Sequence, residues 1–312
     1  MKNNIYAAVD IGTNTILMVI ATRSSDRNIE IITNEHSIAR LGEGVDKTGL
    51  ICEKAVQRAE KILSEYRKIC GNYHVTDIRV CATSAIRDAQ NSSEVRKRLG
   101  SVIDTEVETI SGLEEARLSF LGTVENEDES AVVIDIGGGS TEIIKSSIKN
   151  IFDDQIKNRI SLQTGAVRIT ERFLKLSPPS ADDIDAARVD IIRELNKVTF
   201  KADDAKIYAV AGTPVTIASA ALGLKTFNYS KVHGYVLKRD VLEDISSKFK
   251  VATVVELVNN YGIPPKRADL ICAGTLILET ILDHLDRTNC TVSAHGLRYG
   301  ILKKMMIDSD NN

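Results

Sequence analysis

Val9-Asp10-Ile11-Gly12-Thr13-Asn14-Thr15 returns before the middle of the chain as Ile134-Asp135-Ile136-Gly137-Gly138-Gly139-Ser140-Thr141. In each copy a β-rich run ends on an aspartate and a glycine turn follows. A second β-rich run then departs, Ile16 to Thr22 in the first copy and Glu142 to Lys145 in the second. The pattern predicts a hairpin whose tip carries a carboxylate, glycines and hydroxyl or amide side chains. Copies this far apart predict a duplicated domain, because solenoid repeats recur at about 20–50 residues.

Outward from these hairpins the chain alternates between strand-like and helix-like stretches. Residues 28–38 read as a strand, and 51–70 as an amphipathic helix with Ala55, Ala59, Ile62, Leu63 and Tyr66 on one face. A strand over 78–82, a helix over 94–99, a strand over 106–110 and a helix over 113–124 complete the first half. Such alternation predicts an α/β fold, a mostly parallel sheet with helices on its faces. The acidic run Glu125-Asn126-Glu127-Asp128-Glu129 is a polar spacer, so the expected domains are 1–124 and 125–312. The second half repeats the plan with a hairpin, helices over 165–174 and 181–196, and a strand over 207–211. Later helices are expected over 239–249, 266–285 and 297–306, the last free to pack back on the first domain. Pro178-Pro179 and Pro264-Pro265 mark helix starts.

Bulk properties narrow the class. At 312 residues, with 43% apolar and 27% charged residues, the chain suits a soluble protein of two domains. A net charge of −3 argues against a nucleic-acid or membrane-surface binder, so a polyanion would be held by a local patch. Cys52, Cys70, Cys81, Cys272 and Cys290 are odd in number and lack CxxC spacing, which fits reduced thiols in a cytoplasmic protein. Asp10 interrupts the first apolar run too early for a signal peptide, and no run approaches the ~20 residues that span a bilayer.

The hairpin tips suit a phosphate and its metal ion. Glycines let backbone N–H groups approach phosphate oxygens and point inward as a nest. That assigns Gly12, Thr13, Asn14, Gly137, Gly138, Gly139 and Ser140 to phosphate binding. The aspartate at each strand end can hold Mg²⁺ directly or through water. Ala211-Gly212-Thr213 follows a strand and opens a helix, which suits an anion at Gly212 and Thr213 or else close helix packing. His36, His74, His284 and His295 form no metal-ligand spacing in sequence, and a lone His233 reads as structural rather than catalytic.

The blocks VDIGTNT (9–15), RLGEGVDKTG (40–49), ATSAIRDA (82–89), ISGLEEARLSFLG (110–122) and DIGGGSTE (135–142) resemble those of a known family. So do AGTPVT (211–216), VHGY (232–235), ICAGTLILETIL (271–282) and GLRYGIL (296–302). The family is that of the exopolyphosphatases and guanosine pentaphosphate phosphohydrolases, within the superfamily of actin-like ATPases, sugar kinases and heat-shock chaperones. The blocks occur in the family's order over nearly the whole chain. The resemblance implies two actin-like, ribonuclease H-like domains with an interdomain cleft that closes over the substrate. It also implies Mg²⁺ or Mn²⁺ as cofactor, K⁺ activation, and a homodimer. The sequence ends at Asn312, without the additional helical region of the family's long members, and so resembles the short form.

By motif, the resemblance makes Glu115 the catalytic carboxylate, a general base on the attacking water. Glu114 is the adjacent alternative, and since neighbours on a helix point about 100° apart, only one can face the substrate. Taken alone, both read as carboxylates favouring the positive end of a helix dipole. Arg87 would grip phosphate through its planar fork, against a plain ion pair with Asp88 or Glu94. Asp135, Glu142 and Asp10 would hold the metal. Thr83 and Ser84 offer further donors, and the roles of Arg40 and Glu43 stay open. The expected activity releases the terminal phosphate of polyphosphate, or the 5′-terminal phosphate of guanosine pentaphosphate. A small-molecule kinase lacks its acceptor motif here, and a non-catalytic sensor of guanosine tetraphosphate or polyphosphate has no need of a water-activating Glu115.

Overall fold

The computed structural model describes residues 4–24, 28–126, 129–153 and 156–310. The chain divides into two units, Met1–Gly122 with Leu297–Asn312, and Thr123–Gly296. The first passage between them falls two residues before the expected boundary, and Glu127 and Asp128 of the acidic spacer lie outside the described residues.

The first unit opens with β1 (Ile5–Ile11), β2 (Thr15–Arg23) and β3 (Ile29–Ile38) as an antiparallel meander. Then follow α1 (Val45–Thr48), α2 (Glu53–Asn72), β4 (Asp77–Ala82), α3 (Ser84–Asp88), α4 (Ser92–Ile103), β5 (Val107–Thr109) and α5 (Gly112–Thr123). Strand order is β3-β2-β1-β4-β5, with β4 and β5 added parallel to β1. Side chains alternate along β1, so Ala7, Val9 and Ile11 face one layer, and Tyr6 and Ala8 the other. The first layer is filled by Ala55, Ala59, Leu63 and Tyr66 of α2 together with Val95 and Leu99 of α4. Tyr66 anchors α2 by donating its hydroxyl to the Ile16 carbonyl at 2.9 Å.

The second unit contains β6 (Ala131–Ile136), β7 (Thr141–Ser146), β8 (Arg159–Leu162), α6 (Ala166–Arg172), α7 (Ala181–Leu195), β9 (Lys206–Val210) and α8 (Gly212–Ala221). It continues through α9 (Tyr229–Val232), β10 (Val236–Lys238), α10 (Arg239–Val251), α11 (Val254–Tyr261), α12 (Ile271–His284) and β11 (Asn289–Val292). Its sheet runs β10-β11-β9-β6-β7-β8. Without β10, strand for strand and direction for direction, this is the order of the first sheet. The duplication read from two short loops therefore extends to whole topology.

Core helix α12 carries the ICAGTLILETIL block and buries every residue from Ile271 to Leu282. Its buried carboxylate, Glu279, is met by Arg188, Lys250 and Ser246 at 3.1, 3.1 and 3.3 Å, as a buried charge requires. The helix expected over 266–285 begins only at Ile271. The residues after Pro264-Pro265 instead form a turn, in which the Pro264 carbonyl accepts from the amides of Arg267 and Ala268. Pro178-Pro179 do lead into a helix, which Ser180 caps by accepting from the Asp183 amide. Short β8, β10, β11, α3, α9 and α11 were beyond the periodicity signal.

The last helix, α13 (Leu297–Asp310), counts with the first unit. It seals the second face of that sheet, placing Leu297, Tyr299, Ile301, Leu302, Met305 and Met306 against Tyr6, Ala8, Val19, Ala21 and Cys81. Gly300 makes this possible, since a Cβ there would sit 1.8 Å from the Leu118 carbonyl oxygen of α5.

Candidate functional site

Both glycine turns close alike: Gly12 donates to the Thr15 carbonyl at 2.9 Å, and Gly137 to the Ser140 carbonyl at 3.0 Å. Behind each turn, other backbone amides capture its carbonyls. In the second unit, Ala166 donates to the Gly137 carbonyl, while Val167 and Arg168 donate to that of Gly138. The Arg168 Nε takes the Gly139 carbonyl at 2.8 Å. A trans peptide directs its N–H opposite to its C=O. Fixing three consecutive carbonyls toward α6 therefore turns the amides of Gly138, Gly139 and Ser140 the other way, as an anion-binding nest requires. Gly165 allows α6 this approach, because a Cβ there would lie 2.5 Å from the Gly138 oxygen.

In the first unit the RLGEG block does the corresponding work. Ala39 and Arg40 donate to the Asn14 carbonyl, each at 3.0 Å, and Gly42 to the Thr13 carbonyl at 2.8 Å. Capture of the Thr13 carbonyl turns the Asn14 amide outward, and the buried Asn14 Oδ1 finds no hydrogen-bond partner among the described residues. Arg58 ties this loop down through the Ala39 carbonyl at 2.8 Å and through Glu43 at 2.9 Å. Arg40 and Glu43 thus stand in a loop that shapes the glycine turn.

Parallel pairing of β4 with β1 sets Ile11 beside Ala82, so the next turn, Thr83-Ser84, abuts the glycine loop. Thr83 donates its amide to the Ile11 carbonyl, and the Thr13 and Ser84 hydroxyls are 2.9 Å apart. One helical turn beyond Ser84, Arg87 donates one Nη to both the Glu115 carboxylate at 2.9 Å and the Ile110 carbonyl at 3.1 Å. Glu115 is buried, at 7% exposure. Glu114 is more open, lies 3.5 Å from Arg117, and receives its cap from Ser111. Asp10 and Glu115 are both among the buried polar residues. The first unit thus joins Thr13 to Ser84 and Arg87 to Glu115, with the short helix α3 carrying both Ser84 and Arg87.

The two hairpins differ at one decisive register position. Asp135 pairs directly with Glu142, whereas Asp10 pairs with Leu17. Directly opposed residues of an antiparallel pair share a face with Cβ atoms about 4.5–5.5 Å apart, and like charges there repel. Asp135 and Glu142 are exposed by only 8% and 1%. Ser161, next in the same row, donates to Glu142 at 2.6 Å. Two buried carboxylates and a hydroxyl in one row form an oxygen donor set suited to a hard divalent cation. On this observation the residues fit Mg²⁺.

Val210 neighbours Asp135 in register, so Ala211-Gly212-Thr213 leaves β9 beside the second glycine turn. Ala211 holds φ +77°, a backbone conformation costly for a side-chain-bearing residue. A Cβ on Gly212 would fall on the Arg267 guanidinium, and one on Gly274 would meet Thr213 at 2.5 Å. The glycines here therefore serve close packing, and that packing lays a cation on the turn. Burial pulls the Arg267 pKa down to about 10, which leaves it charged at neutral pH. Neither Arg267 nor Arg168 carried a sequence signal. Arg298 stands in the GLRYGIL block, so its signal is present in the sequence. Its burial lowers its pKa, while Tyr299 and the Asp10 carboxylate act in the opposite sense.

Fold and hairpins define a class, the duplicated α/β proteins of actin-like, ribonuclease H-like topology. Within it the chain belongs to the Ppx/GppA phosphatase family, whose sequence pattern matches residues 19–308. It is 32% identical over 308 residues to a bifunctional 3-dehydroquinate synthase/phosphatase of Fusobacterium nucleatum, covering 94% of this chain but only 45% of that protein. It is 30% identical to exopolyphosphatase 2 of Mycobacterium tuberculosis, covering 95% of this chain and 96% of that one. A crystal structure of an exopolyphosphatase-like protein superposes with a TM-score of 0.90 at 30% identity, over 98% of both chains. No helix among the described residues is long and apolar enough to cross a membrane.

Proposed function

We propose that this protein is a phosphohydrolase that releases the terminal phosphate of inorganic polyphosphate, and that the 5′-terminal phosphate of guanosine pentaphosphate is open to the same chemistry. The observation that carries the reading is the capture of carbonyls behind each glycine turn, which leaves outward amides at Asn14 and at Gly138, Gly139 and Ser140. Relatives of similar length named as exopolyphosphatases support it. Phosphoryl transfer needs positioning and charge neutralisation more than covalent help from the protein. The turn amides bind phosphate oxygens. Glu115 orients the attacking water and accepts its proton, and Arg87, which already holds that carboxylate, balances the charge of the transferring group. Asp135 and Glu142, with Asp10 as the first-loop counterpart, would hold Mg²⁺ or Mn²⁺; a bound ion there would neutralise phosphoanhydride oxygens.

Initial rates of phosphate release from short polyphosphate and from guanosine pentaphosphate test the reading. Wild type should release phosphate from polyphosphate without any nucleotide, and a chelator should stop it. Glu115→Gln should lose about 10²-fold or more in kcat, as for a general base, with Glu114→Gln close to wild type. ATP-dependent transfer to a small acceptor, without hydrolysis, would sink the proposal. An unchanged rate in Glu115→Gln would remove the base from that position.

A further inference from the structure

α9 and the segment after β11 bring the side chains of Tyr229, His233 and His295 together. Tyr229 and His233 stack with ring centroids 5.0 Å apart, and the His295 ring lies 4.4 Å from that of His233. Backbone pairing holds the two segments in place, since Gly234 donates to Val292 and Val292 to Tyr235, each at 2.8 Å. Glu125 approaches the His295 Nδ1 to 3.9 Å. One ligand atom from each of Glu125, His233 and His295 lies within 4.8 Å of the others.

We infer that Glu125, His233 and His295 form a binding site for a first-row transition-metal ion, with zinc the expected occupant. Two imidazoles and a carboxylate are a zinc-type donor set, whereas Mg²⁺ favours oxygen alone. A tetrahedral zinc ion with bonds of about 2.0–2.1 Å holds its ligand atoms roughly 3.4 Å apart. Closure from the present spacing asks a small swing of Glu125, whose side chain is 72% exposed. The Tyr229 hydroxyl lies 2.8 Å from the His295 Nε2. With Nε2–H donating to that hydroxyl, Nδ1 keeps its lone pair on the side of Glu125, which is how outer hydrogen bonds orient metal-bound histidines. Ala294 donates its amide to the His233 Nδ1 at 3.3 Å, a long bond that metal coordination can replace.

The site also has a place in the chain. The second unit runs from Thr123 to Gly296, so Glu125 and His295 stand close to its two ends. An ion held by both joins the ends of that unit, and a ligand bound only by the folded state stabilises it.

The test uses the full chain, stripped with a chelator and kept in excess Mg²⁺ so that all-oxygen sites are filled. Zinc titration followed by calorimetry should give one ion per chain, with a rise in Tm. His233→Ala and His295→Ala should each weaken zinc by at least about tenfold and abolish the Tm rise. Tyr229→Phe should weaken it by about tenfold, as loss of an outer hydrogen bond does. His284→Ala, at an exposed position on α12, should bind as wild type. Cobalt substituted into wild type reads the donor set even if a variant fails to fold. Nitrogen–oxygen ligation gives weak visible bands, and thiolate charge-transfer absorption would overturn the assignment. No zinc binding by wild type, or unchanged affinity in both histidine variants, would overturn it as well. None of these readouts depends on phosphate release.

Discussion

Arg87 serves three masters from one short helix: the Glu115 carboxylate, the Ile110 carbonyl and, at 3.7 Å, Asp88. The expected ion pair with Asp88 has a counterpart in the geometry, although the carboxylate Arg87 meets is chiefly Glu115. A lysine offers a single ammonium and cannot reproduce the planar fork. Arg87→Lys should lower kcat by about 10²–10³, the usual loss when one transition-state donor is removed, with Tm little changed. Arg87→Ala should cost stability as well, about 1–3 kcal/mol, because it strands a buried carboxylate. Thermal melting beside steady-state kinetics separates the two variants, and equal activity in Arg87→Lys and wild type would deny Arg87 a role at the phosphate. At this scale the sequence was legible where a motif named the residue. Arg168 and Arg267 were not, since each acts on a backbone or a glycine remote in sequence, and no periodicity marks a guanidinium for that task.

Elements depend on glycine at two close approaches. At Gly165 an added methyl would strike the Gly138 backbone, which cannot rotate away as a side chain can. Gly165→Ala should displace the start of α6 from the second glycine turn and release the carbonyls it captures. Activity should then fall by at least about tenfold, more than the Tm loss explains, because the amides lose their fixed direction. Wild-type kcat in this variant would show that the captured carbonyls do not organise the turn. At Gly300 the clash is with the Leu118 carbonyl, and the effect belongs to packing alone. Gly300→Ala should destabilise the first unit by about 1–3 kcal/mol, the typical cost of overpacking, read as a lower denaturation midpoint. Long amphipathic helices such as α2 were legible because their apolar faces repeat over several turns. The short strands β8, β10 and β11 and the short helices α3 and α9 carry too few positions for a period to emerge. The late start of α12 has another cause, since residues 266–270 carry no glycine or proline to mark where the turn ends and the helix begins.

Across the molecule, cysteine exposure gives a readout of the two cores. Burial pushes the Cys81 and Cys290 thiols up to about 12, and those of Cys70 and Cys272 to about 11, whereas Cys52 is exposed. The thiolate is the reactive form, so at pH 8 Cys52 should react quickly with a disulfide reagent, half-buried Cys70 more slowly, and Cys81, Cys272 and Cys290 only on unfolding. Mapping the fast site to Cys52 by mass spectrometry checks this, and rapid native labelling of Cys81 or Cys290 would contradict the packing. Cys81 lies under α13 and Cys290 in the core of the second unit, so their unmasking should report the opening of each unit separately.

By itself the sequence determined the duplication, the α/β class and the family, because glycine turns, strand-end aspartates and ordered motif blocks are local signals that survive without coordinates. Only the tertiary structure decided that the terminal helix completes the first sheet. It alone showed that Asp135 faces Glu142 while Asp10 faces Leu17, and that His233 meets His295. Each of these joins residues through strand register or helix packing. Register and packing are set by the summed burial of many side chains, and no short window of sequence contains that sum.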